Sequence, residues 1–589
     1  MKLYKNLSLA GLKSIINEKT FIIIASLIVG IFSGLAAVVL KNTVRYIHTI
    51  THELPQNLTA MAIKFFLPMF GIVLSVLFVN IFLKGKFSRG LSNIIYSIVK
   101  RASDLPVHKT YTHMITSAFT VGLGGSAGLE APIVVTGAAI GSNVAKKLQL
   151  NIQIRTLLLA CGSAAGISAI FNSPIAGVIF AFEVLLPDLS IPYFIPLLIS
   201  SAASAVVSKF LYSGQLFFLV TGGWQMNAIP FYIMLGIFCG FVSIYMIRTT
   251  IYIENYLHKF KNSYKKAILG GLVLCALIFI LPPLFGEGYD TISGLLVLNY
   301  KTLFENGLYS KLGQNEFLIL GIIFLSVFVK VIATSLTMGS GGNGGIIAPS
   351  LLVGALAGFF LARVMTLLHI ANLNHVNFLA VGMAGILSGV IHAPLTGIFL
   401  IAEITGGYVL IVPLMIVTAL SYFISRHFQG ESVYTSVLAK QGIHFRSNKE
   451  KVLAHQFNLT EIIEPNIKIV RPTDSLRKLI EIISNSRQNI YPVINENNRI
   501  AGIINLDDIR EILLNSELYD IVLAYEIMNK DFLTVNINEP FDIVIKIFEE
   551  NKMYSLPVVE NGEYAGLINK SEAFNKYAAL LLNEHDNIL

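Results

Sequence analysis

Residues 21–40 run for twenty positions without one charged side chain, and nothing else constrains this chain as strongly. About 20 apolar residues are enough for a helix to cross the hydrocarbon core of a bilayer. Inside that core every backbone N–H and C=O must be paired within the protein, which leaves helices or closed barrels. Residues 65–83 form a second uncharged run, and later ones such as 267–283 are broken by glycine and proline. Charged residues make up 13% of the chain, against about 25% in an average soluble domain. Most of the 589 residues therefore read as a membrane body. The polar N-terminus is long and a full span begins at Phe21, so no cleavable signal peptide is expected.

Composition turns polar near residue 445, with alternating charge through the following stretch. The net charge of +8 gathers in short segments, 84–89, 100–101 and 259–266. Lys and Arg mark the cytoplasmic loops of membrane proteins, and no basic stripe alternates with aromatics, so nucleic acid is not an expected partner. Cys161, Cys239 and Cys275 lie in apolar surroundings without metal-ligand spacing and read as small core residues.

The membrane body repeats itself. Gly128-Leu129-Glu130-Ala131-Pro132 has a counterpart in Gly345-Ile346-Ile347-Ala348-Pro349, and each continues into two glycines, Gly137 and Gly141 or Gly354 and Gly358. Pro174-Ile-Ala-Gly177 followed by Glu183 has its counterpart in Pro394-Leu-Thr-Gly397 followed by Glu403. Two motifs that recur at nearly one offset along the chain are hard to obtain by chance. Repeats in a membrane body are a transporter plan, with the ligand bound near the midplane at the ends of broken helices.

The two glycine-rich stretches suit an anion. Glycine lets backbone amides approach a ligand closely, and the first turn of a helix offers unpaired N–H groups at a positive dipole end. Neither stretch brings Lys or Arg. Amides alone bind weakly, which suits conduction, because an ion must also leave. Glu130 in this place is either a helix cap or a competitor of the anion, and an intramembrane carboxylate is functional by default.

These residues resemble the CLC family of chloride channels and transporters. Gly128–Pro132 resembles the GxEGP motif, with Ala131 in place of its second glycine. Gly345–Pro349 resembles GxFxP, with Ile347 in place of the usual Phe. Residues 172–183 resemble the NxPxxGxxFxxE helix, and the segment 430–435 resembles the one bearing the family's anion-coordinating tyrosine, here Tyr434. The resemblance implies an all-α polytopic membrane domain, an inverted repeat of tilted, broken helices. It implies a homodimer with one pathway per subunit, Glu130 as the gate, and anion contacts at Gly128, Ala131, Ile346, Ile347 and Tyr434. Glu183 and Glu403 are expected to bond neighbouring helix ends, and Lys330 to be a snorkelling or paired structural charge.

Two positions depart from the family pattern. Where a serine normally coordinates the central anion, the best alignment puts Arg89, with Ser88 and Ser92 beside it; Ser88 and Arg89 are both candidate anion contacts. Directly after Glu183, where proton-exchanging members often have a second glutamate, stands Val184, which cannot relay a proton.

Residues 459–582 hold a second repeat: Tyr491-Pro-Val-Ile with Gly502-Ile-Ile-Asn505 is echoed by Leu556-Pro-Val-Val with Gly566-Leu-Ile-Asn569. Helix-like stretches precede each, at 474–484 and 540–551. The pattern resembles a pair of CBS domains, an α/β module. Nucleotide-binding versions want Gly-x-x-Ser/Thr-x-x-Asp; here Asp508 keeps the carboxylate and Asn505 replaces the hydroxyl.

The expected organisation is therefore an N-terminal cytoplasmic segment (1–20), a CLC-type membrane domain (21–445, with repeats near 21–215 and 228–428), a linker (446–458) and two CBS domains (459–520 and 521–582). The expected function is transport of chloride or another small anion, gated by Glu130 and regulated by cytoplasmic CBS domains. A proton-coupled antiporter is the alternative, and a CBS-regulated metal-cation transporter the alternative from another class. No metal site or enzymatic activity is expected, since HExxH, a Gly-x-Ser-x-Gly nucleophile and a complete P-loop are all missing. An adenine nucleotide at Asp508 is the one cofactor left open. The remaining expectations are contact with membrane lipid and a multi-pass location in the plasma membrane, the inner membrane of the cell.

Overall fold

The computed structural model describes residues 17–53, 58–88, 90–186, 193–212, 222–298, 316–440, 459–464, 467–486, 488–539, 541–551 and 553–575. Residues 1–16, the linker 446–458 and Arg89 lie outside the described residues. The chain divides into two units, 1–445 and 446–589.

The first unit is helical. Among the described residues nine helices are long and apolar enough to cross a membrane, with mean hydropathy from 1.4 to 2.7. Shorter apolar helices lie between them, including Pro174–Leu185, His375–Ile391 and Pro394–Ile404. The breaks have local causes. Helix Ile152–Phe171 ends on Asn172 in the left-handed region (φ 54°), and Pro174 opens the next helix. Its mate His375–Ile391 ends on His392 (φ 57°), and Pro394 opens the next. A left-handed residue stops a helix, and proline at the first helical position restarts one without losing a bond.

The mates interlock. Glu183 accepts from the amides of Leu395 (2.9 Å) and Thr396 (2.7 Å), and from the Thr396 hydroxyl (2.7 Å). Glu403 accepts from the amides of Ile175 (3.1 Å) and Ala176 (2.9 Å). Each carboxylate thus caps the helix that bears its counterpart's motif, at the positive end of the dipole. Such reciprocity requires a local two-fold relation between the repeats. Removing one cap strands two amides and a hydroxyl, so Glu183→Ala is expected to cost about 1–3 kcal/mol, read as a lower unfolding temperature in detergent.

Glycine sets the packing of the inner helices. A Cβ built on Gly141 would stand 1.9 Å from the Leu158 carbonyl oxygen, and one on Gly137 2.0 Å from that of Gly162. In the second repeat Gly354 and Gly358 meet the Gly382 and Phe378 carbonyls at 2.3 and 2.0 Å. Close approach at small residues is how membrane helices pack. The three cysteines are buried and free. Lys330 does not snorkel: it is fully buried, and its ammonium donates to the carbonyls of Leu284 and Gly286 (3.0 and 2.9 Å).

The second unit contains two hairpins of one design. Strand Ile490–Ile494 pairs antiparallel with Ile500–Asn505, and Ser555–Glu560 with Glu563–Asn569. Each hairpin has an irregularity at the same place, Val493/Ile494 and Val558/Val559. Helices Leu476–Ser484 and Phe541–Glu550 cover separate cores, and Ile490, Ile503 and Leu567 join the two halves.

Candidate anion site

The two glycine-rich stretches meet back to back. Gly128 N–H donates to the Gly345 carbonyl (2.9 Å), and Gly345 N–H to that of Gly128 (2.7 Å). Gly124 (φ 93°) and Gly341 (φ 120°), one in each repeat, make the matching turns, in a conformation that favours glycine. Immediately beyond this pairing both chains start helices, Glu130–Lys147 and Ile347–Leu367. Pro132 and Pro349 fall in the first turns, where no intrahelical N–H bond is due. Two helix N-termini therefore point into one buried place, with Ala131, Ile346, Ile347 and Ala348 all within 3% exposure.

Glu130 occupies that place. It is fully buried, and one carboxylate oxygen accepts the Tyr289 hydroxyl at 2.8 Å. Its other oxygen, Oε2, has no hydrogen-bond partner among the described residues, with the amides of Glu130 and Ala348 near the carboxylate. The side chain folds back over Gly128, where a Cβ would lie 1.9 Å from Oε2. This corrects one expectation. The Gly128 amide is spent on Gly345, so Gly128 does not donate to an anion; the space a Cβ would take there is filled by the carboxylate.

Tyr434 closes the site from another side. It is 6% exposed, and its hydroxyl has no hydrogen-bond partner among the described residues. Its hydroxyl lies within electrostatic range of Glu130. A buried hydroxyl left unpaired costs about 1–3 kcal/mol, so this geometry favours a ligand that accepts its proton. The Tyr434 carbonyl takes the Ser92 hydroxyl (2.7 Å), which ties the start of helix Ser92–Lys100 to the tyrosine. Ser92 is thereby committed. Ser88 is exposed, and its oxygen accepts from Asn93 and from Lys109 (3.2 Å). The structure does not bring Ser88 to the Glu130–Tyr434 locus. Val184 is buried.

The sequence reading missed three participants. Tyr289 holds Glu130, Glu287 accepts the Leu129 amide (3.2 Å), and the ammonium of Lys41 donates to Ala169 and Ile170 carbonyls (3.2 and 3.1 Å). The signal for the first two was present: Gly286-Glu287-Gly288-Tyr289-Asp290 puts glycines and a carboxylate inside an apolar body, as the opening motif does. Asp508, in the other unit, is exposed and accepts from the Asn505 side chain (2.9 Å).

A helical membrane body of two interlocked repeats, whose broken helices aim amides at a carboxylate, defines a CLC-type transporter. The chain belongs to the voltage gated chloride channel family, which matches residues 71–426, and the CBS domain matches residues 459–515 and 524–579. This is a family of multi-pass membrane anion transporters and channels, not of enzymes, and that membership replaces the metal-cation alternative. A ClcB-like protein of Ralstonia nicotianae is 28% identical over 437 residues, 70% of this chain and 95% of its own length. The H(+)/Cl(-) exchange transporter ClcA of Vibrio parahaemolyticus is 26% identical over 435 residues, 71% of this chain and 89% of its own. The crystal structure of a slow cyanobacterial Cl-/H+ antiporter superposes with a TM-score of 0.63 at 20% identity, over 72% of this chain and 98% of its own; that likeness concerns the fold.

Proposed function

We propose that this protein moves a small anion, chloride in the first instance, along a pathway within each subunit of a homodimer, and that Glu130 is the gate. One observation supports this most: a carboxylate sits among helix-start amides, where an anion would sit. When charged, Glu130 competes with the anion for those amides. When neutral or displaced, it leaves them to the anion, with Ala131, Ile346 and Ile347 as amide donors and Tyr434 as the hydroxyl donor. Arg89 stays a candidate contact. The protein sits in the plasma membrane with lipid around its outer helices, and the CBS pair lies in the cytoplasm.

Tyr434→Phe removes one hydrogen bond to a charged ligand, worth about 1.5–3 kcal/mol. Chloride binding by titration calorimetry in detergent is expected to weaken at least about tenfold. Unchanged affinity would exclude Tyr434 from the site.

Val184 supports passive conduction, whereas the exchange activity named for the Vibrio relative supports the second reading, a proton-coupled antiporter. Liposome flux separates them. Uphill proton movement driven by a chloride gradient makes the protein an exchanger, and electrogenic chloride flux without it makes a channel. Cation flux without anion flux would sink both. In the CBS pair, Asn505 bonded to Asp508 supports a structural, dimerising module over a nucleotide site. Saturable binding of ATP, ADP or AMP to the full chain would reverse that.

A further inference from the structure

Beside the gate stands a carboxylate that the mechanism above does not use. The turn 284–289 is held from both repeats. The Lys330 ammonium pins the carbonyls of Leu284 and Gly286, and Gly286 N–H donates to the Gly124 carbonyl (3.2 Å). Gly286 and Gly288 are left-handed (φ 55° and 94°). A Cβ on Gly288 would stand 2.4 Å from the Leu352 side chain, so the turn is pressed onto helix Ile347–Leu367. From this clamp two side chains reach consecutive residues of the gate: Glu287 takes the Leu129 amide, and Tyr289 donates to Glu130.

Capping an amide does not need a charge. Gln would accept the same bond. Glu287 is half-buried, and a carboxylate there sets a second negative charge beside the fully buried Glu130, which bonding the Leu129 amide alone does not require. The titratable groups near enough to act electrostatically on Glu287 are Glu130, Lys41, Asp290, Lys330, Tyr212 and Tyr289, with His48 near Asp290. The described hydrogen bonds of both lysines go to backbone carbonyls. Among the described residues Glu287 makes no ion pair within 4.0 Å that would cancel its charge.

We propose that Glu287 is a positioning residue of the gate: fixed on the start of the Glu130 helix, its charge sets the pH at which the pathway opens. The proposal rests on Glu130 being the gate. Two neighbouring carboxylates resist being charged together, so a charged Glu287 favours a neutral Glu130 and an open pathway.

The test is chloride efflux from liposomes containing the full chain, measured from acid to alkaline pH. Glu287→Gln keeps an acceptor for Leu129 N–H and removes only the charge, so the acid midpoint of flux is expected to fall by about one pH unit. Glu287→Asp keeps the charge and should stay near the wild-type midpoint. A Glu287→Gln protein with lower flux but an unmoved midpoint overturns the proposal, as do Gln and Asp variants that shift alike. If Glu287→Gln does not fold, the near-isosteric pair Glu287→Asn and Glu287→Asp makes the same comparison of neutral with charged. Glu130→Gln separates the two levels. Flux that still varies with pH in that variant sinks the gate itself, whereas a flat Glu130→Gln profile beside an unmoved Glu287→Gln midpoint sinks only the role of Glu287.

Discussion

Glu130→Gln is expected to make anion flux independent of pH, while the wild-type protein conducts faster as the medium becomes acidic. The amide has the shape of the carboxylic acid and no charge. It can still accept the Tyr289 hydroxyl, which reaches Oε1 at 2.8 Å, so the fold has little reason to suffer. What disappears is the competitor for the amides at the two helix starts. With Glu130 as the proposed gate, one proton decides its state, and the open population is expected to change at most about tenfold per pH unit. Flux through the variant at alkaline pH should therefore approach that of the wild-type protein at acid pH. Chloride efflux from liposomes across a pH series measures both. A Glu130→Gln protein with the wild-type profile would make the carboxylate an ordinary helix cap.

The second large effect concerns assembly. Gly141→Val is expected to abolish the folded membrane domain. The first added carbon would stand 1.9 Å from the Leu158 carbonyl oxygen, and a backbone carbonyl cannot turn aside as a flexible side chain can. Helices Glu130–Lys147 and Ile152–Phe171 would have to separate along their length. Overpacking typically costs about 1–3 kcal/mol and more where, as here, the opposing atom is backbone, a large part of a marginal stability. Size-exclusion profiles and thermal unfolding in detergent read the loss. Valine at Gly321, which has no atom within 4 Å of a built Cβ, is the control expected to behave as wild type. Equal behaviour of the two variants would mean that this glycine is not a contact.

Much of this was legible because it depends on local chemistry. An uncharged run such as 21–40 has few places to go but a membrane. Glycines followed by proline mark a helix start whether or not the neighbours are known. Duplication is visible wherever two halves keep the same residues for the same reason, as Glu183 and Glu403 do. The lysines show the limit. Lys330 in an apolar helix read as either a snorkelling or a paired structural charge, because the sequence does not reveal that two carbonyls of a distant turn lie against it. Glu287 and Tyr289 lie far beyond Glu130 along the chain, and no periodicity links them to it.

The sequence by itself determined the membrane body, its duplication, the helix starts that can face an anion, the carboxylate among them and the two-hairpin module that follows. Each is a property of a short segment: its hydropathy, its glycines, or its echo elsewhere in the chain. Only the tertiary structure decided which amides remain for an anion. Gly128 spends its own on Gly345, Tyr434 keeps its hydroxyl unpaired among the described residues, and the turn bearing Glu287 and Tyr289 settles onto Glu130. A hydrogen bond uses up a donor irrespective of sequence distance. Which donors are left can be known only once the two repeats have closed on each other.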